Sequence, residues 1–314
     1  MHIFISGGCG QVGSHVAELL LARGDSVVVV DNFATGRPEH LEPHPKLQMI
    51  TGTIADKTLL DGIFAANSFD CIVHAAAAYK DPDDWHEDAM TNCVGGANLI
   101  LLAKQHAIPR FIYYQTALCY GTKPMHNPIT LAHYRFPNNS SYAISKTTTE
   151  EYLELSGLSY VSFRLANVVG PRNLSGPLPI FFQRLTQGKR CFVTLSRRDF
   201  VFVKDLAAVT IKAVDGLGQG SYNFSSGSDM PIIDLYDAVV RELGITPYPE
   251  PEARDLGADD AASILLDPSK TFQDFGKISF AGLPEIVRAA CDYYKKFGVV
   301  GGYTHLKIPE EVKQ

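Results

Sequence analysis

No stretch of this 314-residue chain is long and apolar enough to cross a bilayer. Positive charge is not in excess either: 28 Lys and Arg stand against 34 Asp and Glu, and the net charge of −6 excludes broad attraction to nucleic acid or an anionic membrane. The six cysteines (Cys9, Cys71, Cys93, Cys119, Cys191 and Cys291) show no Cys-x-x-Cys and no Cys/His ligand spacing. That speaks against a zinc module or a disulfide framework and fits buried thiols in a reducing compartment. The acidic run from Asp81 to Asp88 has no partner ligands in the sequence and reads as a solvated loop with an acidic helix start, so no metal site is expected. Internal repeats and low-complexity tracts are absent. The chain begins on a strand pattern with no basic segment before it, so the expectation is a cytoplasmic protein without a signal peptide.

What is present begins at the first strand. His2 to Ser6 runs into Gly7-Gly8-Cys9-Gly10-Gln11-Val12-Gly13, followed by a helical pattern from Ser14 to Arg23 and the apolar run Ser26 to Val30, which ends in Asp31. Gly7 and Gly10 allow a tight turn and close approach to a pyrophosphate, and Gly13 allows the helix to pack against the sheet. The helix N-terminus supplies N–H groups and a favourable potential for phosphate. Asp31 can accept from both hydroxyls of an adenosine ribose and would repel a 2′-phosphate, which favours NAD over NADP.

Apolar residues make up 46% of the chain, enough for a sizeable core. Strand and helix patterns alternate: strands at Leu47 to Thr51, Asp70 to His74, Phe111 to Gln115 and Tyr160 to Leu165, and helices at Leu59 to Ala66, Trp85 to His106 and Ser141 to Ser156. This predicts an α/β fold, a Rossmann-type doubly wound parallel sheet with a smaller C-terminal substrate-binding lobe. The NAD-binding domain is read over 1–166, with 204–224 returning to it as a helix and a strand. The lobe is read over 167–203 and 225–314, where proline becomes frequent. The tail beyond Pro309 is polar and expected to fray.

Tyr142-Ala143-Ile144-Ser145-Lys146 places a phenol and an ammonium one helical turn apart on the same face. The ammonium, with a positive nicotinamide ring, would favour phenolate and make Tyr142 a general base. Thr116 ends the strand after Phe111, at the carboxyl edge where open α/β sheets bind ligands, and can share a substrate hydroxyl with Tyr142. His74 is read as packing at a strand end, without a proton-transfer role. Cys119 is read as a buried inert thiol.

These elements together resemble the extended short-chain dehydrogenase/reductases that act on nucleotide sugars, the epimerase/dehydratase group, and within it the UDP-glucose 4-epimerase pattern. Further matches are Gly52-x-x-x-Asp56, His74-Ala75-Ala76, Asn92 before Gly95, Tyr120-Gly121, Arg164 to Asn167 with Gly170-Pro171-Arg172, Arg198 to Asp205, and Arg254-Asp255. The resemblance implies NAD as cofactor and Thr116, Tyr142 and Lys146 as catalytic residues. It places Gly7, Gly10, Gln11, Val12, Gly13, Asp31 and Asn32 at the cofactor, with Asp56 and Ile54 bordering the adenine. Ala75, Ala76, Ala77 and Asn92 join them, as does Lys80, which stands one residue further from His74 than the family lysine. Asn167, Arg198 and Arg254, with Thr116, would hold a nucleotide-diphosphate sugar. A homodimer through the 85–106 and 141–156 helices is implied as well.

The departures narrow the reaction. Sugar dehydratases of the group carry an Asp-Glu pair after the catalytic hydroxyl residue, and glucuronate decarboxylases place a Glu nearby. Here Ala117 and Leu118 stand there and can supply no proton. The expectation is NAD-dependent 4-epimerisation through a transient 4-keto-hexose. The alternatives are a dehydratase or net oxidoreductase with acids supplied from elsewhere, and a catalytically silent NAD-binding protein. Gln115 in place of serine, Val169 in place of tyrosine and Lys204 in place of aspartate are further departures.

Overall fold

Ile3, Phe4, Ile5 and Val27 to Val30 are buried on both sides, as central strands of a parallel sheet must be. They belong to β1 (His2–Ser6) and β2 (Ser26–Asp31), joined through α1 (Gln11–Arg23). The chain continues through β3 (Leu47–Thr51), α2 (Lys57–Ala66), β4 (Cys71–His74), α3 (Trp85–Glu87), α4 (Gly96–Gln105), β5 (Phe111–Thr116), α5 (Ser141–Ser156) and β6 (Tyr160–Leu165). Beyond these lie β7 (Asn167–Val169), α6 (Pro177–Thr186), β8 (Phe192–Thr194), β9 (Arg197–Arg198), β10 (Phe200–Phe202), α7 (Val203–Val214) and β11 (Gly220–Phe224). The remainder is β12 (Met230–Pro231), α8 (Ile232–Leu243), β13 (Glu252–Arg254), β14 (Ser263–Ile264), α9 (Ser269–Phe275) and α10 (Leu283–Phe297). The computed structural model describes residues 1–138, 140–256 and 261–302. The tail expected to fray after Pro309 lies outside the described residues.

The main sheet has the order β11-β6-β5-β4-β1-β2-β3, every pair parallel. Strand order therefore reverses between β1 and β4, and a crevice opens at their carboxyl ends. β11 joins the sheet in register with β6 and α7 packs on α1, so 203–224 adds to this layer. The lobe uses the short pairs β7 with β10, β8 with β13, and β9 with β12 and β14. Its core lies among α6, α8 and α10, around Leu178, Phe181, Leu235, Val239, Val287 and Ala290. α9 instead packs on β11, and Phe275 enters the core of the main sheet.

One predicted helix differs in kind. The run expected over 85–106 is α3 and α4 joined by a π-helical segment, Asp88–Gly95. The widened turns carry buried Asn92, whose amide binds both backbone groups of Ala78 at 2.9 Å. The π register thus fixes the loop that follows β4, as such segments often do near functional sites. Among the described residues no helix is long and apolar enough to cross a membrane.

Candidate active site

The glycine loop follows β1 directly. Gly7 turns at φ +66, and a Cβ there would lie 2.6 Å from the backbone of Ala76, so only glycine lets the loop rest against the segment after β4. The Gly10 N–H donates to Gly7 O at 3.1 Å and closes the turn. Gly7, Gly10, Gln11 and Val12 line a cleft of about 1590 Å³, where the first N–H groups of α1 have no partner within the helix. Gly13 sits behind this wall. A Cβ on it would overlap the Gly7 carbonyl oxygen, so α1 packs on the loop without a gap.

Asp31 ends β2 with its carboxylate buried. Oδ2 accepts from the Cys9 N–H and Oδ1 from the Phe33 N–H, both at 2.8 Å. Burial pushes the carboxyl above its ordinary value, against those two bonds. Asp31 thus braces the glycine loop and keeps lone pairs toward the cleft, which Asn32, Ile54, Ala75, Ala76 and Ala77 also line, with Lys80 exposed beside them. Two further residues expected at the cofactor, Asp56 and Asn92, have protein partners of their own. Exposed Asp56 caps α2 by accepting from the Leu59 N–H, and Asn92 is spent on Ala78 and Ser145.

Thr116, Tyr142 and Lys146 meet at the same cleft. β5 delivers Thr116 at its carboxyl end, and α5 presents the other two one turn apart. The Tyr142 ring packs on Tyr79 at 5.3 Å between centroids, and no described residue hydrogen-bonds its hydroxyl. Burial pushes the Tyr142 phenol well above its ordinary value. Lys146 is 2% exposed, with Nζ 4.2 Å over the Tyr113 ring. Burial draws its ammonium down to about 7, against the pull of Glu150. In the protein alone, burial therefore opposes a phenolate at Tyr142.

Beneath these groups lies a network absent from the sequence reading. Fully buried Glu150 accepts from Arg164 Nη2 at 3.0 Å, Ser162 Oγ at 2.6 Å and Arg135 Nη1 at 3.1 Å. Burial opposes its ionisation, but Arg164 and the hydrogen bonds outweigh it, and the carboxyl sits below its ordinary value. Gln115 Nε2 donates to Glu150 at 3.4 Å while its Oε1 accepts from the Thr116 N–H at 2.7 Å, so the network holds Thr116 in place. Arg164 also donates to the Tyr120 hydroxyl, which donates to Asn223 on β11. Tyr79, whose hydroxyl pairs with Ser175 Oγ at 3.1 Å, is a second cleft residue that no motif announced. Glu150, by contrast, stands four residues after Lys146, a spacing that could have revealed it.

His74 is fully buried, its Nδ1 2.8 Å from Ser6 Oγ; burial and then Lys146 hold it neutral, well below its ordinary value. The Cys119 thiol is pushed up by burial. On the lobe side, Asn167, Arg198 and Arg254 line the cleft. Arg198 donates to the carbonyls of Arg197 and Ala261 at 2.8 Å. Arg254 lies 4.3 Å over the Phe192 ring and binds Glu252 through two nitrogens. Among the described residues no three His, Cys, Asp or Glu side chains converge as metal ligands.

A glycine loop at the reversal of a 3-2-1-4-5-6 sheet, with a Tyr-x-x-x-Lys helix over the same crevice, defines an extended short-chain dehydrogenase/reductase. Residues 3–224 match the NAD dependent epimerase/dehydratase family, and the chain belongs to it. The cofactor is NAD, and the cleft-lining glycine loop with the free N–H groups at the start of α1 suits its diphosphate. Similar solved structures include the Bordetella bronchiseptica enzyme WbmH in complex with NAD+ (62% identity, TM-score 0.93, covering 95% of this chain and 99% of that one). The enzyme WbmG of the same organism, in complex with NAD and UDP, is 40% identical with a TM-score of 0.89, covering 98% of this chain and 99% of its own. A UDP-glucose 4-epimerase of Halalkalibacterium halodurans is 28% identical over 332 residues, 94% of this chain and 96% of the relative.

Proposed function

We propose that the protein is an NAD-dependent 4-epimerase of a UDP-hexose, working through a transient 4-keto sugar. The observation that carries this reading is the meeting of Thr116, Tyr142 and Lys146 at one cleft where Ala117 and Leu118, and no acid, follow Thr116. When bound against the glycine loop, NAD would supply a reversible acceptor for the C4 hydride. Tyr142 takes the proton from the sugar 4-hydroxyl and later returns it, with Thr116 sharing that hydrogen bond and Lys146 bearing on the phenol's charge. Asn167, Arg198 and Arg254 face the nucleotide diphosphate, to which arginines offer planar paired donors. The UDP-glucose 4-epimerase relative and the UDP complex of WbmG support the nucleotide.

The proposed organisation is an NAD-binding domain over 1–166 with 204–224, against which α9 packs, and a substrate lobe from 167–203 and the remainder of 225–314. A cytoplasmic homodimer fits the exposed Val94, Leu101, Ile144, Tyr152 and Leu155 on the helical run over 85–105 and on α5. The test is incubation of the purified protein with UDP-hexoses, neutral, N-acetylated and acidic, without added cofactor. Interconversion of 4-epimers is expected. Loss of water or carbon dioxide from the sugar, or a requirement for stoichiometric NAD, would contradict the reading.

A further inference from the structure

Tyr79 and Ser175 line the cleft from two sides, Tyr79 on the loop after β4 of the main sheet and Ser175 on the segment that leads into α6 of the lobe. Their hydroxyls, 96 residues apart in the chain, meet at 3.1 Å, either one able to donate. Both residues are half-buried, so the bond lies where a molecule in the cleft can touch it. The Tyr79 ring also packs on Tyr142, with 5.3 Å between centroids.

Each end of this bridge is anchored from behind. Asn92 binds both backbone groups of Ala78, the residue before Tyr79, at 2.9 Å. Two residues before Ser175, Asn173 is 3% exposed, and its carbonyl accepts from the Tyr294 hydroxyl of α10 at 2.7 Å. The Asn173 side-chain amide donates to Gln11 Oε1 at 3.3 Å, and Arg172 binds Glu18 of α1. With both posts fixed, widening the cleft beside Tyr142 means breaking the hydroxyl bond between them.

Epimerisation makes a particular demand at this place. Once C4 has given a hydride to the nicotinamide and the 4-hydroxyl its proton to Tyr142, the keto sugar must turn its other face before the hydride returns. A keto sugar that leaves during the turn strands one reduced cofactor in the protein. We propose that the Tyr79–Ser175 bridge is a positioning element that holds the keto sugar beside Tyr142 while it turns. The Tyr79 ring walls the space next to Tyr142, and the bond to Ser175 keeps that wall from swinging outward. The inference rests on the 4-epimerase reading.

The experiment follows reduced-nicotinamide absorbance while the holoenzyme turns over a UDP-hexose, in Tyr79→Phe, Ser175→Ala and the double variant. Tyr79→Phe keeps the ring on Tyr142, and Ser175→Ala leaves Tyr79 untouched. Each single variant is expected to strand about fivefold more reduced cofactor per turnover, the worth of one neutral hydrogen bond. The double variant should strand no more than either single one, because only one bond is lost. With Tyr142→Phe added to hold conversion back, the same changes should release bound UDP-hexose about fivefold faster and UDP at an unchanged rate. Variants that strand no more than the parent, a double variant whose effect is the product of the singles, or UDP released faster as well, would overturn the bridge and leave 4-epimerisation standing. A parent that forms no 4-epimer would overturn both.

Discussion

Tyr142→Phe is expected to slow 4-epimerisation by about 10² to 10⁴-fold, the usual worth of a positioned general acid–base group, while NAD stays in the protein. The substitution removes one oxygen and nothing that the fold uses. The ring keeps its packing on Tyr79, and no described residue hydrogen-bonds the hydroxyl, so stability should scarcely change. Burial keeps the phenol protonated in the protein alone, and the nearby ammonium is itself weakened to about 7 by the same burial. In the proposed mechanism, positive charge brought into the cleft would favour the phenolate. Steady-state rates with a UDP-hexose, together with NAD content per chain, check this. A fully active variant would remove Tyr142 from the mechanism.

Glu150→Gln is expected to cost about 3 kcal/mol of stability, because it leaves buried Arg164 with only the longer pair to half-buried Glu154 at 3.8 Å. The carboxylate is fully buried and the guanidinium 6% exposed, so solvent screens the pair little. Pairing Glu150→Gln with Arg164→Met should recover much of the loss, and denaturant unfolding of both variants measures the difference. Equal losses in the two would show that the unpaired charge is not the cause. The same pair sets an acid limit. The Glu150 carboxyl titrates below its ordinary value of 4.5 when folded, so its contribution is present above that pH. It is lost as the pH falls through the lower folded value.

How much of this was legible in the sequence follows from how local each signal is. The glycine loop, the strand ending in Asp31 and the Tyr142 to Lys146 spacing are contiguous, and β3, β6 and α5 fall where their patterns place them. The π segment could not be read, since nothing in Asp88–Gly95 distinguishes a widened helix from an ordinary one. The capping of α2 by Asp56 went unread, because the family pattern drew notice to the carboxylate as a neighbour of the adenine. In the lobe, proline obscured α8 and α10, although buried Ile232, Leu235, Tyr236 and Val239 keep a helical spacing that a closer count would catch. Tyr79, Gln115 and Asn173 became visible through contacts between segments distant in the chain, which spacing alone does not encode.

The central claim is that the hydride leaves C4 of the sugar and returns to it within one closed cycle. Conversion of a C4-deuterated UDP-hexose in ordinary water, with no cofactor added, tests it most directly. The account predicts that both 4-epimers carry the full label at C4 and that no free reduced cofactor accumulates. Deuterium lost to solvent, or an epimer formed with hydrogen at C4, would contradict it.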